Sequence, residues 1–311
     1  LGRQQNPCSS KTRTFQDVAF PIMRTLRAKR ALVTGAASGI GRAISLALAQ
    51  EGADVCLVDV NEVGLAEVAQ KIQELGRRAL PIRCDVSSSE EIAYVVEELQ
   101  AAWGGLDILV NNAGVLHYGP THLMSQEQWE RVLGVNLLAP MHFIRLLLPT
   151  LIAQPEAHLV NVSSMYGYFA TRKTAAYHAS KFGLLGLTES LRAEFGRQGI
   201  GVTAVCPGFV SSHLFDAGTS SNQNGESRRP PAWACTTPEH VAKKTIRAIY
   251  RNHRMVLATP LAYGAFYLKR FAPWLIDWAQ HWGQSRATRL RLEQIQKNPQ
   301  GELPRRAKRA A

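Results

Sequence analysis

From residue 31 to residue 258, short continuous apolar runs alternate with amphipathic stretches. Ala31–Thr34, Asp54–Val60, Ala79–Arg83, Leu106–Val110, His158–Val162, Gly201–Val205 and Met255–Ala258 read as strands. Between them, Gly41–Glu51, Glu62–Leu75, Ser89–Trp103, Ser125–Leu148 (one helix or two), Thr174–Gly196 and Pro238–Tyr250 read as helices. Strands that are apolar throughout are buried on both faces, and intervening helices make the crossovers parallel. The pattern predicts an α/β fold: a doubly wound, parallel, seven-stranded sheet of Rossmann type in one domain, residues 28–260.

The flanks follow other rules. Residues 1–27 form an N-terminal extension, in which Phe15, Val18, Ala19, Ile22, Met23 and Leu26 keep helical spacing while Pro21 interrupts it. This predicts a strap over the body, with a membrane-surface anchor as the alternative. Residues 211–237, rich in Ser, Asn, Gly and Pro, predict a loop. Residues 261–311 form a C-terminal extension that opens with Tyr263, Phe266, Tyr267, Phe271, Trp274, Trp278 and Trp282. The three tryptophans recur every four residues and so share a helix face.

Charge sharpens this division. The formal net charge is +12, but residues 1–30 carry seven Lys/Arg against Asp17, and residues 286–311 carry eight against Glu293 and Glu302. From totals of 36 basic and 24 acidic residues, that leaves 21 of each sign in the middle. The body is neutral and the tails are basic. Five cysteines, Cys8, Cys56, Cys84, Cys206 and Cys235, lack metal-type spacing, and their odd number argues against a disulfide framework. A reducing, cytoplasmic setting is expected. No run of 18 apolar residues occurs, no secretory-leader pattern shows in residues 1–30, and the nine histidines show no metal-ligand spacing.

The candidate chemistry centres on Tyr177-His178-Ala179-Ser180-Lys181. Tyr177 and Lys181, four residues apart, lie on one helix face. An ammonium near a phenol favours the phenolate, lowering the phenol's pKa toward that of a working proton donor and acceptor. His178 reads as structural. Thirteen residues before Tyr177, Ser164 ends an apolar strand with Asn161, Val162 and Ser163. At the front of the chain, Thr34-Gly35-Ala36-Ala37-Ser38-Gly39-Ile40-Gly41 joins the first strand to the first helix. Glycines there permit a tight turn and close approach of backbone to a pyrophosphate at the helix N-terminus. Asp59, at the end of the second strand, suits ribose hydroxyls and repels a 2′-phosphate, which favours NAD over NADP.

Taken together, Thr34–Gly41, Asp85-Val86, Asn111-Asn112-Ala113-Gly114, Asn136, Ser164, Tyr177, Lys181 and Pro207-Gly208 resemble the short-chain dehydrogenase/reductase family. The resemblance spans roughly residues 28–260 and implies hydride transfer between a nicotinamide and an alcohol or ketone. It implies that Tyr177 moves the proton, Lys181 tunes it and meets the cofactor ribose, Ser164 holds the substrate oxygen, and Asn136 holds a water. Gly35, Ser38, Gly39, Ile40, Gly41, Asp59, Asp85, Val86, Asn112, Ala113, Gly114, Pro207, Gly208, Val210 and Ser212 are then the cofactor set. Ser211 and Ser212 stand where the family usually has threonine. A homodimer or homotetramer through helices near 125–148 and 174–196 is also implied.

Substrate contacts are expected from Ser164, Met165, Tyr177, Phe209 and Leu214, a mostly apolar set that points to a lipophilic steroid-, retinoid- or long-chain-type substrate. The aromatic, basic stretch 260–311 suits peripheral membrane contact, covering of the pocket or subunit packing. Two other functions fit: a 3-oxoacyl thioester reductase, and a non-catalytic dinucleotide-binding scaffold whose tails hold lipid or nucleic acid. No specific nucleic-acid motif is present.

Overall fold

The computed structural model describes residues 23–211, 219–220 and 234–282. Its main sheet contains β1 (Arg30–Thr34), β2 (Asp54–Asp59), β3 (Ala79–Arg83), β4 (Ile108–Asn111), β6 (Ala157–Val162), β7 (Ile200–Cys206) and β11 (Met255–Leu257). They lie in the order β11-β7-β6-β4-β1-β2-β3, and every neighbouring pair is parallel. The seven strands are those the apolar runs predict, with ends shifted by one or two residues. The chain leaves β1 toward one edge and returns through β4 toward the other, so a crevice opens at the carboxyl ends of β1 and β4.

Successive strand residues face opposite layers. Val33 and Leu57 meet α1 (Gly39–Gln50), α2 (Glu62–Glu74) and α7 (Pro238–Arg251) through Ile44, Leu48, Val68, Ile72, Val241 and Ile249. Leu32 and Leu109 meet α3 (Ser89–Trp103), α5 (Ala139–Ile152) and α6 (Ala175–Phe195) through Leu99, Phe143, Leu147 and Phe195. Met23 and Leu26 are buried in the first layer. The remainder of the N-terminal strap lies outside the described residues, as does Cys8. Cys56, Cys84 and Cys206 are buried free thiols.

Three features depart from the sequence pattern. Residues 126–152 form one helical run in which α4 (Gln126–Leu133) passes into α5 through a π-turn at Gly134–Leu138. That run is long and apolar enough to cross a bilayer by length and composition; here it buries Phe143, Leu147 and Leu151 in the core. The 211–237 stretch supplies two short strands: β9 (Thr219–Ser220) pairs with β5 (His117–Tyr118), and β10 (Cys235–Thr236) with β8 (Phe209–Val210). Finally, the aromatic stretch divides at Pro273 into α8 (Pro260–Phe271) and α9 (Pro273–Trp282).

The described chain falls into two compact units, divided after Ala265. In the second, Phe271, Trp274 and Trp278 are 75%, 65% and 55% exposed, and the rings of Tyr267 and Phe271 stack at 6.2 Å.

Candidate active site

The turn after β1 is built for close backbone approach. Gly35 and Gly39 have φ of 65° and 51°, a region that glycine enters without strain. A Cβ on Gly35 would lie 2.9 Å from Asn112 Nδ2, and one on Gly41 would overlap the Gly35 carbonyl. Asn112 Nδ2 donates to the carbonyls of Thr34 (2.9 Å) and Gly35 (3.2 Å), while the Thr34 hydroxyl accepts from the backbone N–H groups of Asn112 and Ala113. Asn112, Ala113 and the turn are thereby locked together. α1 begins at Gly39 with no side-chain cap from Ser38 and no acidic residue in its first turn. Its N-terminal N–H groups and dipole are left to the crevice.

Asp59 sits beside that turn. Its Oδ2 accepts the Ala37 N–H at 3.1 Å and its Oδ1 the Asn61 N–H at 3.1 Å, leaving further lone pairs on both oxygens. Asp85 lies just past the end of β3, where bonds from the Ser87 backbone and hydroxyl hold its carboxyl below the usual range. Val86 beside it is buried.

Across the switch point stand the chemical groups. Tyr177 and Lys181 share the buried face of α6, and Lys181 Nζ lies 5.7 Å from the Tyr177 ring centre. The ammonium donates to the Val162 carbonyl at 2.9 Å. Burial lowers its pKa to about 8. The phenol behaves contrary to the expectation from spacing. Burial pushes Tyr177 up to about 12, and a hydrogen bond with the Ser164 side chain only partly offsets this. In a desolvated site the cost of a bare phenolate outweighs an ammonium that is aimed at a carbonyl.

Ser164 and its neighbour separate cleanly. The Ser164 hydroxyl oxygen accepts the Tyr166 N–H at 3.1 Å beside Tyr177, whereas the Ser163 hydroxyl donates to the Lys181 carbonyl at 3.0 Å. Asn136, fully buried in the π-turn, accepts the Val115 N–H (2.8 Å) and donates to the Val115 carbonyl (2.9 Å) and to Ser180 Oγ (3.1 Å). A Cβ on Gly114 would sit 3.4 Å from Asn136 Oδ1 and 3.6 Å from Lys181 Nζ. These two side chains flank one glycine.

A family model described as short chain dehydrogenase matches residues 29–223, which contain every one of these groups. The chain belongs to the short-chain dehydrogenase family. It is an oxidoreductase with an NAD(P)-type Rossmann fold. It is 34% identical over 218 residues to the 3-oxoacyl-[acyl-carrier-protein] reductase FabG of Thermotoga maritima, covering 70% of this chain and 89% of that one. A short-chain dehydrogenase/reductase structure from Burkholderia phymatum in complex with NAD is 26% identical, with a TM-score of 0.70, and covers 91% of this chain and all of that chain. A Beutenbergia cavernae structure, described as a putative NAD(P)-dependent gluconate 5-dehydrogenase with NADP at low occupancy, is 33% identical, with a TM-score of 0.67. It covers 76% of this chain and 96% of its own. Known structures of the family thus hold either dinucleotide.

In this dehydrogenase the region beyond Tyr177 is apolar. Leu116, Val132, Ala176 and Tyr177 form a buried cluster, with Met124, Trp129 and Tyr166 packed against it. The Tyr166 ring meets Tyr177 edge-on at 6.2 Å and Phe209 at 6.4 Å. Met165 is buried, and its N–H donates to the Pro207 carbonyl at 2.8 Å. Met124, Trp129 and Val132 come from the segment opening α4 and from that helix, a contribution missed by sequence reasoning. The Ser125–Gln128 capping box marks that helix start, but nothing in its spacing tells which element it packs on.

Gly208 lies so near Thr259 Oγ1 that a side chain would collide. Val210 packs its side chain into the core layer with Val205 and Val241, and its backbone pairs with Thr236 of β10. Ser212 and Leu214 lie outside the described residues. Arg172 and Lys173 are exposed, and Lys173 Nζ sits 5.6 Å over the Tyr118 ring.

Proposed function

We propose that the protein interconverts a lipophilic secondary alcohol and its ketone with NAD as the favoured dinucleotide. One observation carries this reading: the Tyr177 phenol, the Ser164 hydroxyl and the Lys181 ammonium converge across the switch point from a glycine turn with an uncapped helix. The glycine cradle around Gly35, Gly39 and Gly41 and the free α1 N-terminus fit a pyrophosphate, and Asp59 fits ribose hydroxyls. Asp85, Val86, Asn112–Gly114, Pro207 and Gly208 would complete that binding set. When bound, the nicotinamide supplies or accepts the hydride. Ser164 hydrogen-bonds the substrate oxygen and sets it beside Tyr177. Tyr177, held protonated by burial in the ligand-free site, delivers its proton to that oxygen as negative charge develops there in ketone reduction, and takes it back in alcohol oxidation. Lys181 holds positive charge beside the crevice, and Asn136 fixes the π-turn that backs it.

The apolar wall of Leu116, Met124, Trp129, Met165, Tyr166 and Phe209 favours a lipophilic substrate. A second reading, 3-oxoacyl thioester reduction, is favoured by the FabG relative, and Asp59 weighs against it where NADPH is the reductant. The test is absorbance of the reduced nicotinamide with NADH and NADPH against lipophilic ketones, alcohols and a 3-oxoacyl thioester. The expected result is NADH-dependent reduction of an apolar ketone, absent in Tyr177→Phe. Turnover of the thioester alone would select the second reading, and equal turnover by Tyr177→Phe would overturn both.

The same reading includes self-association and a peripheral, cytoplasmic membrane location. Leu138, Met141 and Phe182 leave large apolar side chains exposed on the π-turn, α5 and α6, a face suited to a second copy. Phe271, Trp274 and Trp278, with Lys269 and Arg270, suit an anionic lipid surface. Flotation with anionic vesicles should fall when those three aromatics become alanine; unchanged flotation ends that part of the proposal.

A further inference from the structure

His178, the residue after Tyr177, is buried, and both of its ring nitrogens are engaged. Nδ1 lies 3.0 Å from the Tyr166 carbonyl, which can only accept, so Nδ1 carries the proton. Nε2 accepts the Thr171 N–H at 2.9 Å and lies 2.9 Å from the Thr174 hydroxyl. The partners therefore fix one neutral tautomer. Burial also holds the imidazole below the ordinary histidine range, in keeping with that neutral form.

These bonds close a short segment onto α6. Residues 166 and 171 are both tied to one ring, and the segment's far end is held where the Gly119 N–H donates to the Lys173 carbonyl at 2.9 Å. Its middle is held by the Tyr168 hydroxyl, which donates to the Ala262 carbonyl at 2.7 Å. The side chain so placed is Tyr166, whose ring lies 4.8 Å from the His178 ring and edge-on to both Tyr177 and Phe209. Tyr166 is thus part of the wall beside Tyr177, and its carbonyl is held by an imidazole at the back of that wall while its N–H is held by Ser164.

We propose that His178 is a positioning residue for the substrate: by holding Tyr166 against Tyr177 and Phe209 it governs how a substrate seats, not how the proton moves. The proposal rests on the reading of Tyr177 as the proton-transfer group.

The test compares His178→Ala, His178→Asn and His178→Gln with the wild-type protein. Asparagine can place an N–H where Nδ1 stands and keep the Tyr166 bond; glutamine can place an oxygen near Nε2 and keep the Thr171 bond. With the ketone that the wild type reduces best, His178→Ala should raise the ketone KM about tenfold, with kcat and the nicotinamide KM within about threefold. Asparagine should recover most of the ketone KM, and glutamine less. Nicotinamide binding by fluorescence confirms that each variant keeps its fold. A fall in kcat at unchanged KM, an equal rise in the nicotinamide KM, or an asparagine variant no better than alanine would overturn the proposal.

Hydrogen–deuterium exchange across 165–174 gives an independent reading that needs no substrate. Exchange should quicken in His178→Ala and return toward the wild-type rate in His178→Asn; unchanged exchange in His178→Ala refutes the positioning role. A wild-type protein that turns over no alcohol or ketone with either nicotinamide counts instead against the proposed function, and exchange then decides the case of His178.

Discussion

Lys181 Nζ donates to the carbonyl of Val162, the last residue of β6, at 2.9 Å. The cation of α6 is thereby tied to the strand end that also carries Ser164, which fixes the separation of lysine, serine and phenol. The same anchoring leaves an ammonium desolvated, with its pKa lowered from 10.5 to about 8. Between those values the unfolded chain holds a proton that the folded chain has released. The Lys181 contribution to stability should therefore rise with pH across that window, by an amount on the order of 3 kcal/mol over its full width. Tyr177 acts oppositely, its raised phenol costing stability only above its ordinary value of 10. The buried thiols Cys56, Cys84 and Cys206, raised by burial, oppose this above about pH 9, so the lysine's share is read as a difference: in urea unfolding between pH 8 and 10 the stability of the wild type relative to Lys181→Met should rise, and Lys181→Met should be inactive.

Replacing Tyr177 by Phe removes one hydroxyl from a buried ring and keeps its packing against Tyr166, Leu116 and Ala176. Turnover should fall by about 10²–10⁴-fold, the scale of a lost general acid. Nicotinamide binding, measured by fluorescence, should change little, because the glycine turn and Asp59 are untouched.

Much of this site is legible in the sequence. The strands were readable because each is a short apolar run bounded by turn residues, and the carboxyl ends of those strands carry Gly35, Asp59, Asn112, Ser164 and Gly208. What escaped is what depends on distance in space. β5, β8, β9 and β10 are two-residue pairings too short to show a period. The π-turn at Gly134–Leu138 owes its place to the buried bonds of Asn136 with Val115 and Ser180, which no spacing announces. The raised Tyr177 phenol is the clearest case: four-residue spacing brings Lys181 near, but burial and the Val162 carbonyl decide what the ammonium does.

Asp59 has one carboxylate oxygen on the Ala37 N–H of the glycine turn. Asp59→Asn keeps an acceptor there and removes the negative charge. The charge-assisted bonds to ribose hydroxyls weaken and repulsion of a 2′-phosphate disappears. The Kd for NADH should rise about tenfold while that for NADPH falls, as titration of nicotinamide fluorescence would show. Unchanged preference would remove Asp59 from the selectivity argument.

Gly41 stands where a Cβ would overlap the Gly35 carbonyl and Asn112 Nδ2. Both neighbours are fixed, the carbonyl by the turn and the amide by its bonds to Thr34 and Gly35, so neither can yield cheaply. Gly41→Ala should lower stability by about 1–3 kcal/mol or more and weaken nicotinamide binding. Gly76→Ala is a useful contrast: it adds a methyl group with nothing within 4 Å, although its φ of 71° makes any side chain strained. Its effect should be confined to stability, with binding unchanged.

Ser163 and Ser164 are adjacent, equally small and both buried, so their variants isolate position from composition. The Ser163 hydroxyl donates to the Lys181 carbonyl and bonds β6 to α6. Its replacement by alanine leaves that carbonyl without the bond and should cost about 1 kcal/mol of stability, with turnover changed only a few-fold. Ser164 instead lies beside the Tyr177 phenol, its oxygen oriented by the Tyr166 N–H. Ser164→Ala should lower kcat by about 10²–10³-fold, because it loses the bond to charge developing on the substrate oxygen, and should cost about 1 kcal/mol of stability through the Tyr166 N–H left without its acceptor. Measuring kcat and melting temperature for both variants separates the roles: a catalytic loss in Ser163→Ala and none in Ser164→Ala would reverse the assignment.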